Sequence, residues 1–87
     1  MSYDYATQKP HLFTEDGVTM FLKIRDQTQK LIAKAGVARS DKMMAGCSGD
    51  VWDMLACCDR LVEIGDVLEI PNTMSSAGQH RIFISFE

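Results

Sequence analysis

The consecutive segments SGDVWDMLACCDRLVEIG (48–65), DVLEI (66–70), PNTMSSAGQH (71–80) and RIFISFE (81–87) decide the fold of this chain. The first segment has apolar residues at helical spacing and ends on Gly65, where a left-handed C-cap residue belongs. Its buried stripe is predicted to consist of Val51, Met54, Leu55, Cys58, Leu61 and Val62. Two apolar segments with strand composition follow, at 66–70 and 81–86, and a polar loop that is too long for a tight turn separates them. The stretch therefore predicts a helix that runs directly into a β-hairpin.

A long first helix is predicted upstream of this stretch. Thr14 is a good N-cap, Glu15 and Asp16 suit the positive end of the helix dipole, and Gly36 ends the helix. Its apolar face is predicted to consist of Val18, Phe21, Ile24, Thr28, Leu31, Ile32 and Ala35. The spacing indicates an amphipathic helix that packs on the rest of the domain.

A short second helix completes the predicted helix set. At most two strand residues are expected within 37–39, and Ser40 is expected to cap a helix over residues 41–46. Residues 47–49 then form a turn, and Ser48 or Asp50 can cap the third helix. A short helix, a tight turn and a longer helix together form the helix-turn-helix pattern.

Residues 1–13 are predicted to form an N-terminal arm without a helix, because they show no periodicity and Pro10 discourages one. We expect a partly disordered terminus or a strand laid against the domain. An arm that touches DNA or forms a dimer through Tyr3, Tyr5 and Lys9 is the alternative.

Composition limits the function classes. The chain has 87 residues, of which 46% are hydrophobic and 24% charged, which is typical of one ordinary globular domain. No apolar run approaches the roughly 20 residues that cross a bilayer, and no secretion signal is evident, so we expect a cytoplasmic protein without membrane association. The net charge is −3. A protein that neutralises several phosphates normally carries a basic patch, and this composition does not indicate one.

The segment LACCDRLVEIGDVLEI (55–70), followed by a loop and RIFI (81–84), resembles the bacterial winged-helix superfamily of transcription regulators. With the upstream helix pair, the resemblance covers about residues 14–86, and the size is similar to that of small regulatory proteins of phages and mobile elements. It implies an α+β winged helix-turn-helix with three helices and a small antiparallel sheet whose C-terminal hairpin is the wing. Residues 1–13 would be the arm, and residues 14–87 the winged-helix domain.

The resemblance also implies a DNA-binding surface, because the third helix of the superfamily enters the major groove and the wing contacts backbone or minor groove. The candidate DNA-binding residues are Arg39, Lys42, Trp52, Arg60, Gln79, His80 and Arg81. The side of the third helix that is expected to be exposed consists of Trp52, Asp53, Ala56, Asp59, Arg60 and Glu63. Arg60 is of the residue type that bridges guanine O6 and N7, but three carboxylates beside it would face a polyanion.

Two functions follow from this reasoning. The first is a DNA-binding transcriptional regulator. The second is a protein-interaction module without direct DNA readout, which docks on a partner protein or on a second copy of itself, with Trp52 as its anchor. Fold alone does not choose between them.

Catalytic and metal chemistry are not indicated. Cys47, Cys57 and Cys58 contain no C-x-x-C pattern, and only His11 and His80 could join them in a zinc site or activate a thiol. We therefore expect buried or merely exposed thiols, no metal, no cofactor and no enzymatic activity. A redox-sensing Cys57 is the alternative, and it would require an accessible thiolate with a low pKa.

Overall fold

The computed structural model describes residues 2–71 and 81–86. The helical elements are α1 (Tyr5–Gln8), a 3-10 helix (Lys9–Phe13), α2 (Glu15–Ala35), α3 (Ser40–Met43) and α4 (Val51–Glu63), and the strands are β1 (Val37–Arg39), β2 (Val67–Ile70) and β3 (Ile82–Ser85). The strands form one antiparallel sheet in the order β1-β3-β2. The predicted α+β class is confirmed, but the described residues form four α-helices where three were predicted. None of these helices is long and apolar enough to span a bilayer.

Helix α2 has the predicted limits. The Thr14 side chain accepts a hydrogen bond from the Gly17 N–H at 3.1 Å, and Gly36 ends the helix with φ +80°. Ile24 and Thr28 are buried, whereas Val18 is 43% exposed, so the inclusion of Val18 in the buried face was wrong.

The short elements between α2 and α4 differ from the prediction. β1 has three residues, because its whole length pairs with β3. Ser40 is the first residue of α3 and does not cap it; its Oγ accepts a hydrogen bond from the Arg81 N–H at 3.1 Å. Ser40 therefore joins α3 to the start of β3.

Helix α4 begins where predicted, with the Asp50 side chain accepting a hydrogen bond from the Trp52 N–H at 2.8 Å. Gly65 follows its end with φ +82°. Most of the predicted stripe is buried or half-buried, but Val51 is 58% exposed. Ala56 and Cys57, which lie outside that stripe, are completely buried. α4 is therefore covered on more than one side.

The core lies between the helices and one face of the sheet. Phe83, on the central strand β3, is completely buried and pairs with the buried Ala38 of β1. Ile24 of α2, Met43 of α3 and Leu61 of α4 belong to the same buried cluster. Because successive strand residues alternate between faces, the neighbours of Phe83 point to the opposite, outer face of the sheet.

The N-terminal segment is helical, so the prediction of a helix-free arm was wrong. Asp4 caps α1 by accepting a hydrogen bond from the Thr7 N–H at 3.2 Å. Pro10 lies in the first turn of the 3-10 helix, where its missing N–H removes no helical hydrogen bond. Gly17 lets this helix approach α2 closely, since a Cβ there would lie 2.0 Å from the His11 carbonyl oxygen.

Candidate interaction surfaces

Four side chains of the N-terminal segment bind carboxylates of α4. We call them the N-terminal clasp: Tyr3 bonds to Asp59 at 2.5 Å, Tyr5 and Lys9 bond to Glu63 at 2.9 and 3.0 Å, and His11 bonds to Asp53 at 2.9 Å. The three carboxylates belong to the face of α4 that the winged-helix resemblance assigns to DNA. In the structure these carboxylates hold the chain's own N-terminal segment on α4.

Apolar and neutral groups fill the space beneath the clasp. Gln8 and Leu12 of the N-terminal segment are 7% and 4% exposed, and Ala56 of α4 is completely buried. The expectation that Ala56 is exposed was therefore wrong, because α1 and the 3-10 helix pack on α4. The N-terminal segment covers α4 through packing as well as through polar bonds.

The clasp shifts the titration of its members. The pKa of Glu63 falls to about 2, because hydrogen bonds from Lys9, Arg60 and Tyr5 stabilise the carboxylate. Burial, and secondly the hydrogen bond to Glu63, raises the pKa of Tyr5 to about 12. The pKa of Tyr3 is also raised, first by burial and then by its hydrogen bond to Asp59. Near neutral pH both tyrosines of the clasp are therefore neutral phenols, and Tyr5 donates its hydrogen bond to an ionised Glu63.

Arg81, a candidate DNA-binding residue, is occupied by an internal network. Its guanidinium binds Asp59 of α4 at 2.5 Å and Glu69 of β2 at 2.8 and 2.7 Å, and it lies 5.2 Å from the centroid of the Phe83 ring. The side chain is 18% exposed. The pKa of Arg81 is raised, chiefly by the hydrogen bond to Glu69. Because Tyr3 also binds Asp59, this network links the sheet, α4 and the clasp.

Arg60 is also engaged by the protein itself. It binds Glu63 at 2.5 Å, and its guanidinium lies 5.5 Å from the centroid of the Phe13 ring. Its side chain is 29% exposed. A contact between Arg60 and guanine would compete with these two intramolecular contacts.

The remaining candidate residues do not converge on the same face. Arg39 is bound to Asp41 at 2.6 and 2.9 Å and pairs with Ile82, so it lies on the face of the sheet opposite to Arg81. Lys42 is exposed on α3, and Trp52 is half-buried in the first turn of α4. Gln79 and His80, with the predicted wing, lie outside the described residues.

The outer face of the sheet carries a continuous apolar surface, which we call the apolar sheet face. One row of this face crosses all three strands and consists of Val37, Ile84 and Leu68. The next row contributes Ile82 and Ile70. Phe86 follows just beyond β3. Val37, Leu68, Ile70 and Phe86 are 44, 42, 37 and 58% exposed, and the two β3 isoleucines are half-buried. Pairing across the strands makes this a single surface.

Sequence reasoning missed the apolar sheet face because it predicted the two apolar strand segments without predicting which of their residues lie on the outer face of the sheet. A signal was available in Arg81–Phe86, because apolar residues occur at both its even-numbered and its odd-numbered positions. Alternate residues of a strand point to opposite faces, so only one of these two sets can face the core. The clasp had no comparable signal. Tyr3, Tyr5, Lys9 and His11 show no helical period, and their partners are carboxylates more than forty residues away.

The two adjacent thiols of α4 lack the accessibility of a reactive cysteine. Cys57 and Cys58 are completely buried, and burial raises the pKa of each to about 12. A redox-sensing Cys57 is disfavoured, because such a residue needs an accessible thiolate. Within residues 2–71 and 81–86, no three His, Cys, Asp or Glu side chains are grouped so as to hold a metal ion.

No protein-family model matches the chain, and no similar protein was found among curated proteins or solved structures.

Proposed function

We propose that this chain is a small winged-helix-like protein-interaction module that does not read DNA through α4. The order α2-β1-α3-α4-β2-β3 and the sheet order β1-β3-β2 are compatible with a winged-helix shape. Function on such a scaffold depends on the surfaces that it presents.

The N-terminal clasp is the observation that carries this proposal. For α4 to enter a major groove, the segment that packs on its outer face would have to leave. The departure would release Asp53, Asp59 and Glu63 toward the phosphates, and it would remove the phenol and ammonium partners of two of them. Asp59 would keep Arg81 and Glu63 would keep Arg60 as partners, but bringing three carboxylates to a polyanion is still unfavourable, and the effect is strongest at low salt.

The state of the arginines supports the same conclusion. Arg39, Arg60 and Arg81 each form a salt bridge with a carboxylate of the chain. An arginine that must give up such a partner to bind phosphate gains less binding free energy than an arginine that is exposed to solvent before it binds. The net charge of −3 adds no long-range attraction toward DNA.

The apolar sheet face supplies the positive part of the proposal. Contiguous exposed apolar surface of this kind marks interaction sites on small domains. Trp52, the anchor predicted from sequence, is half-buried and can contribute only part of its ring. The sheet therefore offers more apolar contact area than the start of α4.

DNA binding is the second candidate function. The observation that favours it is the succession of α3 and α4, which corresponds to a helix-turn-helix pair, together with the exposed Lys42 on α3. In this alternative, DNA contact displaces the clasp.

Titration of the full chain with random duplex DNA, followed by fluorescence anisotropy at 50 and 200 mM salt, tests the proposal. The interaction-module function predicts no salt-sensitive binding up to about 10 µM protein. Arg60→Ala, with Arg25→Ala as the matched control on α2, separates helix readout from general charge, because both arginines are salt-bridged. Salt-sensitive binding that Arg60→Ala weakens much more than Arg25→Ala would refute the proposal.

A further inference from the structure

We infer that the apolar sheet face binds the same face of a second copy of this chain, forming a symmetric dimer. This inference names the partner of the proposed interaction module. It rests on the proposed function only for the biological purpose of the dimer.

The area of the face suits a small homodimer. The exposed parts of its six apolar side chains amount to on the order of 400 Å². Two copies would together remove about 800 Å² of apolar surface from water, and homodimer interfaces are about 65% apolar, so the total buried area would be about 1,200 Å². That value lies at the lower limit for specific, stable interfaces.

The low charge of the face permits two copies of the chain to stack with these faces in contact. Among the described strand residues, Arg39 is the one ionisable side chain on the two rows, and it carries Asp41 as its counterion through two hydrogen bonds. Arg39 belongs to the edge strand β1 and is about half exposed, which suits the polar rim of an interface. Among the described strand residues, stacking therefore buries no unpaired charge, whose penalty would exceed the apolar gain.

The arrangement of the face identifies its centre. Ile84 lies between Val37 and Leu68 in its row and between Ile82 and Phe86 along its own strand segment. In a symmetric pair, a residue at the two-fold axis meets its own copy. Two sheets stack about 10 Å apart with interdigitating side chains, so Ile84 of one copy would pack against Ile84 of the other.

A partner with a different surface is less well matched. An amphipathic helix normally brings a narrow apolar stripe bordered by charges, whereas this face is two rows deep and spans all three strands. A second copy offers the same width and the same low charge.

Sedimentation velocity of the full chain from about 1 to 100 µM tests the inference. We expect a concentration-dependent shift from 9.7 kDa to twice that mass. Leu68→Lys should weaken the dimer at least about 30-fold, since it places an ammonium in the apolar contact. Leu22→Lys on α2 is the matched control, because Leu22 is 53% exposed and lies outside the face, and it should leave dimerisation unchanged.

Two further variants keep the test decisive if Leu68→Lys lowers the folded fraction. Val37→Lys, on the opposite edge strand, should weaken the dimer in the same way while far-ultraviolet circular dichroism stays native. Ile84→Cys in a Cys47→Ser background should be cross-linked to a dimer by a bis-maleimide whose reach matches the sheet spacing of about 10 Å, because Cys57 and Cys58 are buried. A Leu22→Cys variant in the same background should cross-link far more slowly.

A wild-type chain that stays monomeric at 100 µM would overturn the dimer, and so would equal weakening by Leu22→Lys and Leu68→Lys. Failure of the dimer is distinguishable from failure of the proposed function. A monomer that binds no DNA refutes the dimer alone and leaves a different protein as the occupant of the face. A dimer whose salt-sensitive DNA binding is weakened much more by Arg60→Ala than by Arg25→Ala refutes the proposed function alone.

Discussion

The outer side of α4 and the outer face of the sheet have opposite character. The outer side of α4 carries Asp53, Asp59 and Glu63, yet the N-terminal segment covers it and Ala56 at its middle is completely buried. The outer sheet face carries six apolar side chains, and no described element covers it. Of these two regions, the charged one is covered and the apolar one is accessible. The carboxylates bind the chain to itself, and the apolar face remains available to another molecule.

The largest expected effect on stability comes from breaking the network in which Arg81 binds Asp59 and Glu69. Arg81→Ala would leave the carboxylates of Asp59 and Glu69 close together without their guanidinium, in a site where Arg81 is 18% exposed. We expect a loss of about 2–4 kcal/mol in the free energy of unfolding, measured by urea denaturation. Arg39→Ala, which breaks an exposed pair with Asp41, should change the free energy of unfolding far less. Equal effects of the two variants would show that the Arg81 network is not structurally distinct.

A somewhat smaller effect is expected where the N-terminal segment meets α2. An alanine Cβ at position 17 would lie 2.0 Å from the His11 carbonyl oxygen and 2.8 Å from the Leu12 Cα, both backbone atoms. Gly17→Ala should lower the free energy of unfolding by about 1–3 kcal/mol, despite the better helix propensity of alanine. Thr19→Ala, at an exposed position on the same helix, is the control. A stabilised Gly17→Ala variant would mean that the segment does not pack closely on α2.

The titration of the two tyrosines should report the clasp directly. Tyr3 and Tyr5 are the chain's two tyrosines, and both belong to the clasp. The pKa of Tyr5 rises from 10.0 to about 12, so its contribution to stability is complete below pH 10 and is lost as the pH rises through 12. Absorbance at 295 nm should therefore show phenolate formation later in the native chain than in guanidinium chloride. Ionisation of either tyrosine near pH 10 in the native chain would contradict the clasp.

The smallest effect is expected on the free energy of unfolding of the monomer when a residue of the apolar sheet face is substituted. Leu68 is 42% exposed, so Leu68→Lys removes little packing within one copy. At protein concentrations well below the dissociation constant of the dimer, its free energy of unfolding should change by about 0.5 kcal/mol or less. Chemical denaturation at submicromolar concentration checks this. A loss of several kcal/mol would mean that Leu68 belongs to the core and not to an accessible surface.

Local sequence signals predicted much of the fold. Thr14 and Asp50 cap the predicted helices, and Gly36 and Gly65 adopt positive φ at their ends, because caps act within one turn of the chain. The order of the elements from residue 14 onward was also predicted. Loop residues 72–80, expected to form the wing, lie outside the described part of the chain.

Long-range packing accounts for what the sequence did not predict. The helices at the N-terminus have at most five residues and no amphipathic period of their own, so they depend on α4 for stability. Arg60 and Arg81 look like DNA contacts when considered singly. The structure gives them Glu63, Asp59 and Glu69 as partners. Only the tertiary fold brings Arg81 to carboxylates on two other elements.

Nuclear Overhauser spectroscopy on the full chain at neutral pH tests the central claim most directly, namely that the protein's own N-terminus covers α4. We predict cross-peaks from the Tyr3 ring to Asp59 and from the Tyr5 ring to Glu63, with tyrosine chemical shifts displaced from random-coil values. Random-coil shifts for both rings, without cross-peaks to α4, would contradict the account and leave α4 open to DNA.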